Sequence, residues 1–155
     1  MGKYDLVEEA LTSLGAEFFF TGVRIQPGKP VVFGRLPATD RRPAQYFFGL
    51  PGNPISAQLT FTLFARTLLL SLCGATERSA PFLQATLAAP AQAKSGLTRF
   101  LPARLKHDPV APLVFPVAWQ GSGDQAAQAR ANCYLLVPAD SQDLAAGSTV
   151  TILLR

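Results

Sequence analysis

The sequence predicts an α/β layer followed by a small all-β domain, and three observations carry that prediction. The first 76 residues hold aromatic, strand-like runs flanked by two helical patterns. From residue 77 onward the chain breaks into short apolar runs separated by Pro, Gly and Asp, the signature of a barrel or a sandwich. The change of character falls at "GATERSAP", residues 74–81. With 48% apolar and 15% charged residues, the 155-residue chain can bury a core, which excludes disorder.

Leu6, Val7, Ala10, Leu11 and Leu14 follow helical spacing, and Gly15 is a natural stop. "FFFTGVRI" (Phe18–Ile25) reads as a strand, "QPGKP" (Gln26–Pro30) as a rigid loop, and Val31–Leu36 as a second strand. A polar turn, residues 37–45, leads to a third strand at Tyr46–Leu50. Pro51-Gly52-Asn53 then turns into a long helix with Asn53 as its cap and Pro54 at its first position. The helix stripe is Ile55, Leu59, Leu63, Arg66 or Thr67, and Leu70, and Gly74 ends it. This layer opens on a helix with no strand ahead of it, so it reads as the later part of a larger layered sheet. The second half reads as five strands: Phe82–Ala89, Thr98–Lys106, Leu113–Trp119, Asn132–Ala139 and Ser148–Leu154. Gln125–Ala131 is marked only by mild alanine richness.

Several function classes drop out. A net charge of +4 suits an anionic partner, but the basic residues are dispersed and no nucleic-acid-reading motif is present. Residues 55–75 approach the length of a membrane span, yet Arg66 stands in the middle, where a charge costs roughly 2.5 kcal/mol or more. A buried helix of a soluble protein is the reading. Cys73 and Cys133 have no CxxC partner, which excludes a zinc site or disulfide framework and suits reduced thiols in a cytoplasmic protein. The first residues read as a charged helix and not as a leader. His107 is the lone histidine, so no serine-hydrolase triad can be assembled.

Two loops could hold an oxyanion. "GLPGNP" turning into a helix aims backbone N–H groups and the positive end of a helix dipole at one point. Gly52 leaves room for a close approach, and the prolines fix the path. "QPGKP" presents Lys29 as a point charge held by Gly28 and Pro30. A plain turn and an exposed hairpin lysine would give the same letters. Asp5, Glu8 and Glu9 sit near a helix start, where they complement the dipole or hold a cation. Ser122 lies between two glycines in "QGSG" and could bind a phosphate with the N–H groups around it, or simply turn the chain.

Taken in order, "MGKYDLVEEAL", "VRIQPGKPVVFG", "FGLPGNPISAQLTF", "TRFLPARL", "QGSG" and "ANCYLLVPADSQDLAAGSTVTILL" resemble the molybdopterin molybdenumtransferase (MoeA) family, which includes the gephyrin E domain. The resemblance covers essentially the whole chain. It implies the C-terminal part of a molybdopterin-binding, MogA-like α/β domain (1–76) followed by a small all-β domain (77–155). It implies insertion of molybdate into adenylylated molybdopterin with release of AMP, assisted by Mg2+. Asp5 matches a metal- or phosphate-side acidic position, and Lys29 an oxyanion-binding lysine; these two are the catalytic candidates. Gly28, Pro51, Gly52, Asn53, Pro54, Ser56 and Ser122 match substrate-binding positions. A homodimer and an upstream MogA-like molybdopterin adenylyltransferase are the implied partners, with neither nucleic acid nor membrane. Gln26 departs from the family, where a basic residue often precedes PGKP. "MGK" reads as the tail of a glycine-rich "GGVSMGK" motif, so the chain is expected to be a fragment with little turnover alone. A non-catalytic dimerising scaffold of the gephyrin type is the alternative.

Overall fold

The computed structural model describes residues 6–92, 96–121 and 123–155. The first part is a three-stranded sheet with spatial order β1-β3-β4, formed by β1 (Glu17–Phe20), β3 (Val32–Leu36) and β4 (Gln45–Gly49). Both pairings are antiparallel, Glu17 facing Arg35 and Phe33 facing Phe48. Aromatic side chains stack across it: Phe33 lies 4.4 Å from Phe48 and 5.0 Å from Phe19, centroid to centroid. Gly34 is required here, because a Cβ would stand 2.5 Å from the Glu17 carbonyl oxygen and from the Phe47 ring.

The predicted strand over Phe18–Ile25 divides in two. A bulge falls between Phe18 and Phe20, the chain leaves the first sheet, and β2 (Ile25–Gln26) pairs in parallel with β6 (Thr98–Lys106) of the second. The other strands of the second sheet are β5 (Phe82–Leu87), β7 (Leu113–Pro116), β8 (Cys133–Val137) and β9 (Thr149–Leu154). Their order β6-β7-β5-β9-β8, with β8 returning to β6, closes a five-stranded barrel and decides between barrel and sandwich. Alternation sorts the side chains. Leu101, Leu135 and Ile152 fill the barrel, while their neighbours Phe100, Tyr134 and Leu153 cover its outside.

That outer patch receives the long helix. Helical backbone runs from Pro54 to Leu72, as α2 (Pro54–Thr60), a π-helical turn (Phe61–Ala65) and α3 (Arg66–Leu72). Leu59, fully buried, packs on Phe100, Tyr134 and Leu153, with Ile25 and Leu63 at the edge. Phe64 meets Phe20 of the first sheet at 5.9 Å, so the helix bridges the two sheets. Only its first three turns are buried. No residue of α3 is, and Leu69 and Leu72 are 50% and 65% exposed, so the buried helix expected from the sequence is buried only over its first part. Arg66 reaches the Ser79 carbonyl at 3.2 Å.

A polar seam closes the junction. The Arg155 guanidinium donates to the carbonyls of Gln128 and Ala131, both at 2.6 Å, and to Gln58 Oε1 at 3.1 Å. Gln128 Nε2 donates to Gln58 Oε1 at 3.0 Å and to the Tyr134 hydroxyl. Gln128 lies on α4 (Gln125–Arg130), a helix where the sequence showed only alanine richness; Asp124 caps it by accepting from Ala127 N–H at 2.9 Å. α1 (Val7–Ser13) forms as predicted, but it buries none of its residues, and Leu6, Val7 and Leu14 are each more than half exposed.

Candidate functional site

Two loops meet at the junction of the sheets. After β2 the chain turns through Pro27–Pro30 and closes on itself: Val23 N–H donates to the Lys29 carbonyl at 2.9 Å, and Val31 N–H to the Gly28 carbonyl at 3.3 Å. Gly28 has φ +107°, a conformation that favours glycine. Pro27 and Gly28 are buried, whereas Lys29 is exposed and has no ion-pair partner among the described residues. The second loop runs from β4 into α2 through Leu50–Asn53.

The loops enclose an open crevice of about 380 Å³. Gly28, Lys29, Pro51, Gly52, Asn53 and Ser56 all line it, with Gln26 and Leu97 beside them. Six sequence-predicted positions thus share one wall. Pro54 does not: it lines a separate hollow of about 240 Å³ with Gln58, Gln128 and Arg155. Asp5 and Ser122 lie outside the described residues.

The helix start differs from expectation in one chemical respect. Asn53 Oδ1 accepts from the N–H groups of Ile55 (3.0 Å) and Ser56 (3.3 Å), Pro54 has none to give, and Ala57 N–H binds the Asn53 carbonyl at 2.9 Å. The first-turn amides predicted to face an anion are taken by the cap. What the crevice offers instead is the Lys29 ammonium, the Ser56 side chain and the residual dipole. In the β-domain, Asp124 accepts from Ala127 N–H at 2.9 Å and from Gln120 N–H at 3.0 Å, and these bonds pull its carboxyl below the usual 3.8.

Gly52 has open space where a Cβ would stand and no positive φ. No carboxylate lines the crevice, and no group of three His, Cys, Asp or Glu side chains that could hold a metal ion occurs among the described residues. Those residues do not by themselves fit Mg2+.

Two cations were not singled out in the sequence. β2 places Gln26 beside Arg99, whose guanidinium lies 5.9 Å over Trp119 and whose Nε is buried without a partner. Arg24 donates to the Gly96 carbonyl at 3.1 Å. No sequence signal links residues so far apart; the link exists because β2 leaves its own sheet for the barrel.

Comparison with known proteins bears on the whole chain. Residues 84–154 match the model of the MoeA C-terminal region (domain IV), and residues 1–71 match that of a "probable molybdopterin binding domain". The chain belongs to the MoeA family. Its fold is that of a MogA-like domain followed by the MoeA C-terminal β-domain. It is 30% identical over 154 residues to a molybdopterin molybdenumtransferase of Staphylococcus aureus (strain COL), covering 99% of this chain and 35% of that protein. It is 34% identical over 147 residues to the Synechocystis enzyme of the same name, covering 94% and 34%. The crystal structure of the molybdopterin biosynthesis MoeA protein of Pyrococcus horikosii superposes with a TM-score of 0.73 at 30% identity, over 97% of this chain and 34% of that one. The chain therefore spans about a third of the length of these relatives.

Proposed function

We propose that this MoeA-family chain acts in molybdenum cofactor biosynthesis, furnishing one wall of the site where molybdate is inserted into adenylylated molybdopterin and AMP is released. The observation that carries this reading is the convergence of Lys29, Gly52, Asn53 and Ser56, from two distant loops, on one open crevice. An exposed lysine with no ion-pair partner among the described residues is suited to an oxyanion, and a loop anchored by backbone bonds presents it at low entropic cost. In this reading Lys29 neutralises charge on molybdate or phosphate as the adenylate leaves, Ser56 orients an oxygen, and the small Gly52 admits the ligand. Relatives named molybdopterin molybdenumtransferase support the assignment.

Asp5 is proposed as the carboxylate that would hold a divalent cation, with Ser122 as a second phosphate contact. The division at residues 76 and 77, a homodimer, an upstream molybdopterin adenylyltransferase and a cytoplasmic location belong to the same proposal. The test is Lys29→Ala, assayed by molybdate-dependent formation of active cofactor in the full-length protein. The loss expected is at least tenfold, the order seen when one charge-assisted contact is removed. Retained cofactor formation with loss only of protein partners would turn the assignment to a scaffold.

A further inference from the structure

The crevice places Lys29 and Ser56 on separate elements, so something must set the distance between them. We propose that Thr60 is the positioning residue that does so, through its methyl group. Thr60 is a polar residue with no exposed surface, one helical turn beyond Ser56. Its hydroxyl donates to the Ser56 carbonyl at 2.8 Å and approaches the Ala57 carbonyl at 3.3 Å, which ties the side chain down. Its methyl then lies directly beneath the Lys29 loop. A Cβ on Gly28 would stand only 2.6 Å from Thr60 Cγ2 and 3.3 Å from Ile25 Cδ1, so bare Gly28 backbone rests on that methyl.

The loop's own hydrogen bonds, Val23 to Lys29 and Val31 to Gly28, shape it internally and do not fix it to α2. The seat of Gly28 on Thr60 does. It explains why residue 28 lacks a side chain for two independent reasons, its φ of +107° and its contact. It also gives a reason for a hydroxyl-bearing, β-branched residue in a dry position of a helix, where both groups are used. The hydroxyl holds the rotamer and the methyl bears on the loop.

The role in ligand binding rests on the proposed function, whereas the seating of the loop does not, and the experiment separates them. Amide hydrogen exchange at Val23 and Val31 is measured in the 155-residue chain, with calorimetric titration by sodium molybdate alongside. Thr60→Ser keeps the hydroxyl and removes the methyl. Exchange at both amides is expected to rise about tenfold and the molybdate Kd by about three- to tenfold, with the melting temperature lowered by only about 2–4 °C. Thr60→Val keeps a methyl there, held by valine's stiff helical χ1 in place of the hydroxyl bond, so both readouts stay close to the parent values. Gly28→Ala, which pushes the loop off its seat, is expected to reproduce Thr60→Ser. Unchanged exchange in Thr60→Ser, or equal acceleration in Thr60→Val, overturns the proposal. Failure of the parent chain to bind molybdate overturns the oxyanion reading of the crevice, while exchange still decides the role of Thr60.

Discussion

Truncating Leu59 to alanine tests whether the α/β part and the barrel are held together by hydrophobic burial at one patch. Leu59 has no exposed surface and touches Phe100, Tyr134 and Leu153, themselves 3%, 1% and 0% exposed. The change removes three carbon groups, worth about 2.4 kcal/mol of transfer free energy at ~0.8 kcal/mol each. A cavity term adds to this, because a closed barrel wall and a helix tied through Gln58 to Arg155 cannot collapse into the gap. The total is about 3–4 kcal/mol, a large share of the ~5–15 kcal/mol that holds an ordinary domain. It corresponds to a fall in melting temperature of roughly 6–15 °C. Urea unfolding would be followed by far-ultraviolet circular dichroism and by fluorescence of Trp119, the lone tryptophan, which packs against the barrel core. Leu69→Ala, on the same helix but 50% exposed, is the control and should cost under about 0.5 kcal/mol. A loss below about 1 kcal/mol for Leu59→Ala, or equal losses for the two variants, would refute the idea that this patch holds the halves together.

Three further outcomes are expected. Gly52→Val should leave stability within about 1 kcal/mol, since a side chain there meets nothing, while weakening molybdate binding measured by calorimetry; unchanged binding would show that Gly52 does not border the ligand. Native protein at pH 8 should yield one rapidly reacting thiol, the exposed Cys73; Cys133, pushed up to about 11 by burial, should react only after unfolding. Asp124 has a folded pKa below 3.8, so its contribution is fully present above that value and is lost as pH falls through the folded one. Asp124→Asn keeps a cap but removes this titration, and its acid-unfolding curve should be flatter below pH 3.8.

Local rules were legible where backbone chemistry alone decides. Gly15 and Gly74 end helices at φ +76° and +72°, and Asn53 caps α2 through its side chain, as their places in the sequence predict. Short apolar runs located the barrel strands; β5 and β9 keep a partly wet outer face, whereas β6 and β8 are buried on both faces because the long helix covers their outside. What escaped depended on pairing at a distance. Phe18–Ile25 reads as one strand in sequence, but a bulge lets the stretch serve two sheets, and only the parallel partner 73 residues away reveals it. α4 escaped because six residues carry too little periodicity to stand out from an alanine-rich loop. Six of the proposed site positions line one crevice, as their loops suggested, and one contact there was misread. Asn53 was recognised as a cap, and a cap that does its work consumes the amides that an anion would use.

That correction changes how the crevice would hold the proposed oxyanion. If capped amides cannot reach a ligand, recognition passes to side chains, and side chains need an exact seat. The seat depends on the departure of β2 from the first sheet to join β6. That departure carries Ile25 into the patch that Leu59 organises and leaves the Lys29 loop at the mouth of the crevice. Leu59 fixes the helix to the barrel, and the next residue, Thr60, lies under Gly28. Hydrophobic burial and, in the reading proposed above, ligand geometry are therefore set by adjacent residues of one helical turn. A substitution that loosens the patch should also blur the position of Lys29, and Leu59→Ala should raise the molybdate Kd as well as lower stability. Full retention of affinity in that variant would mean that the loop is seated independently of the patch.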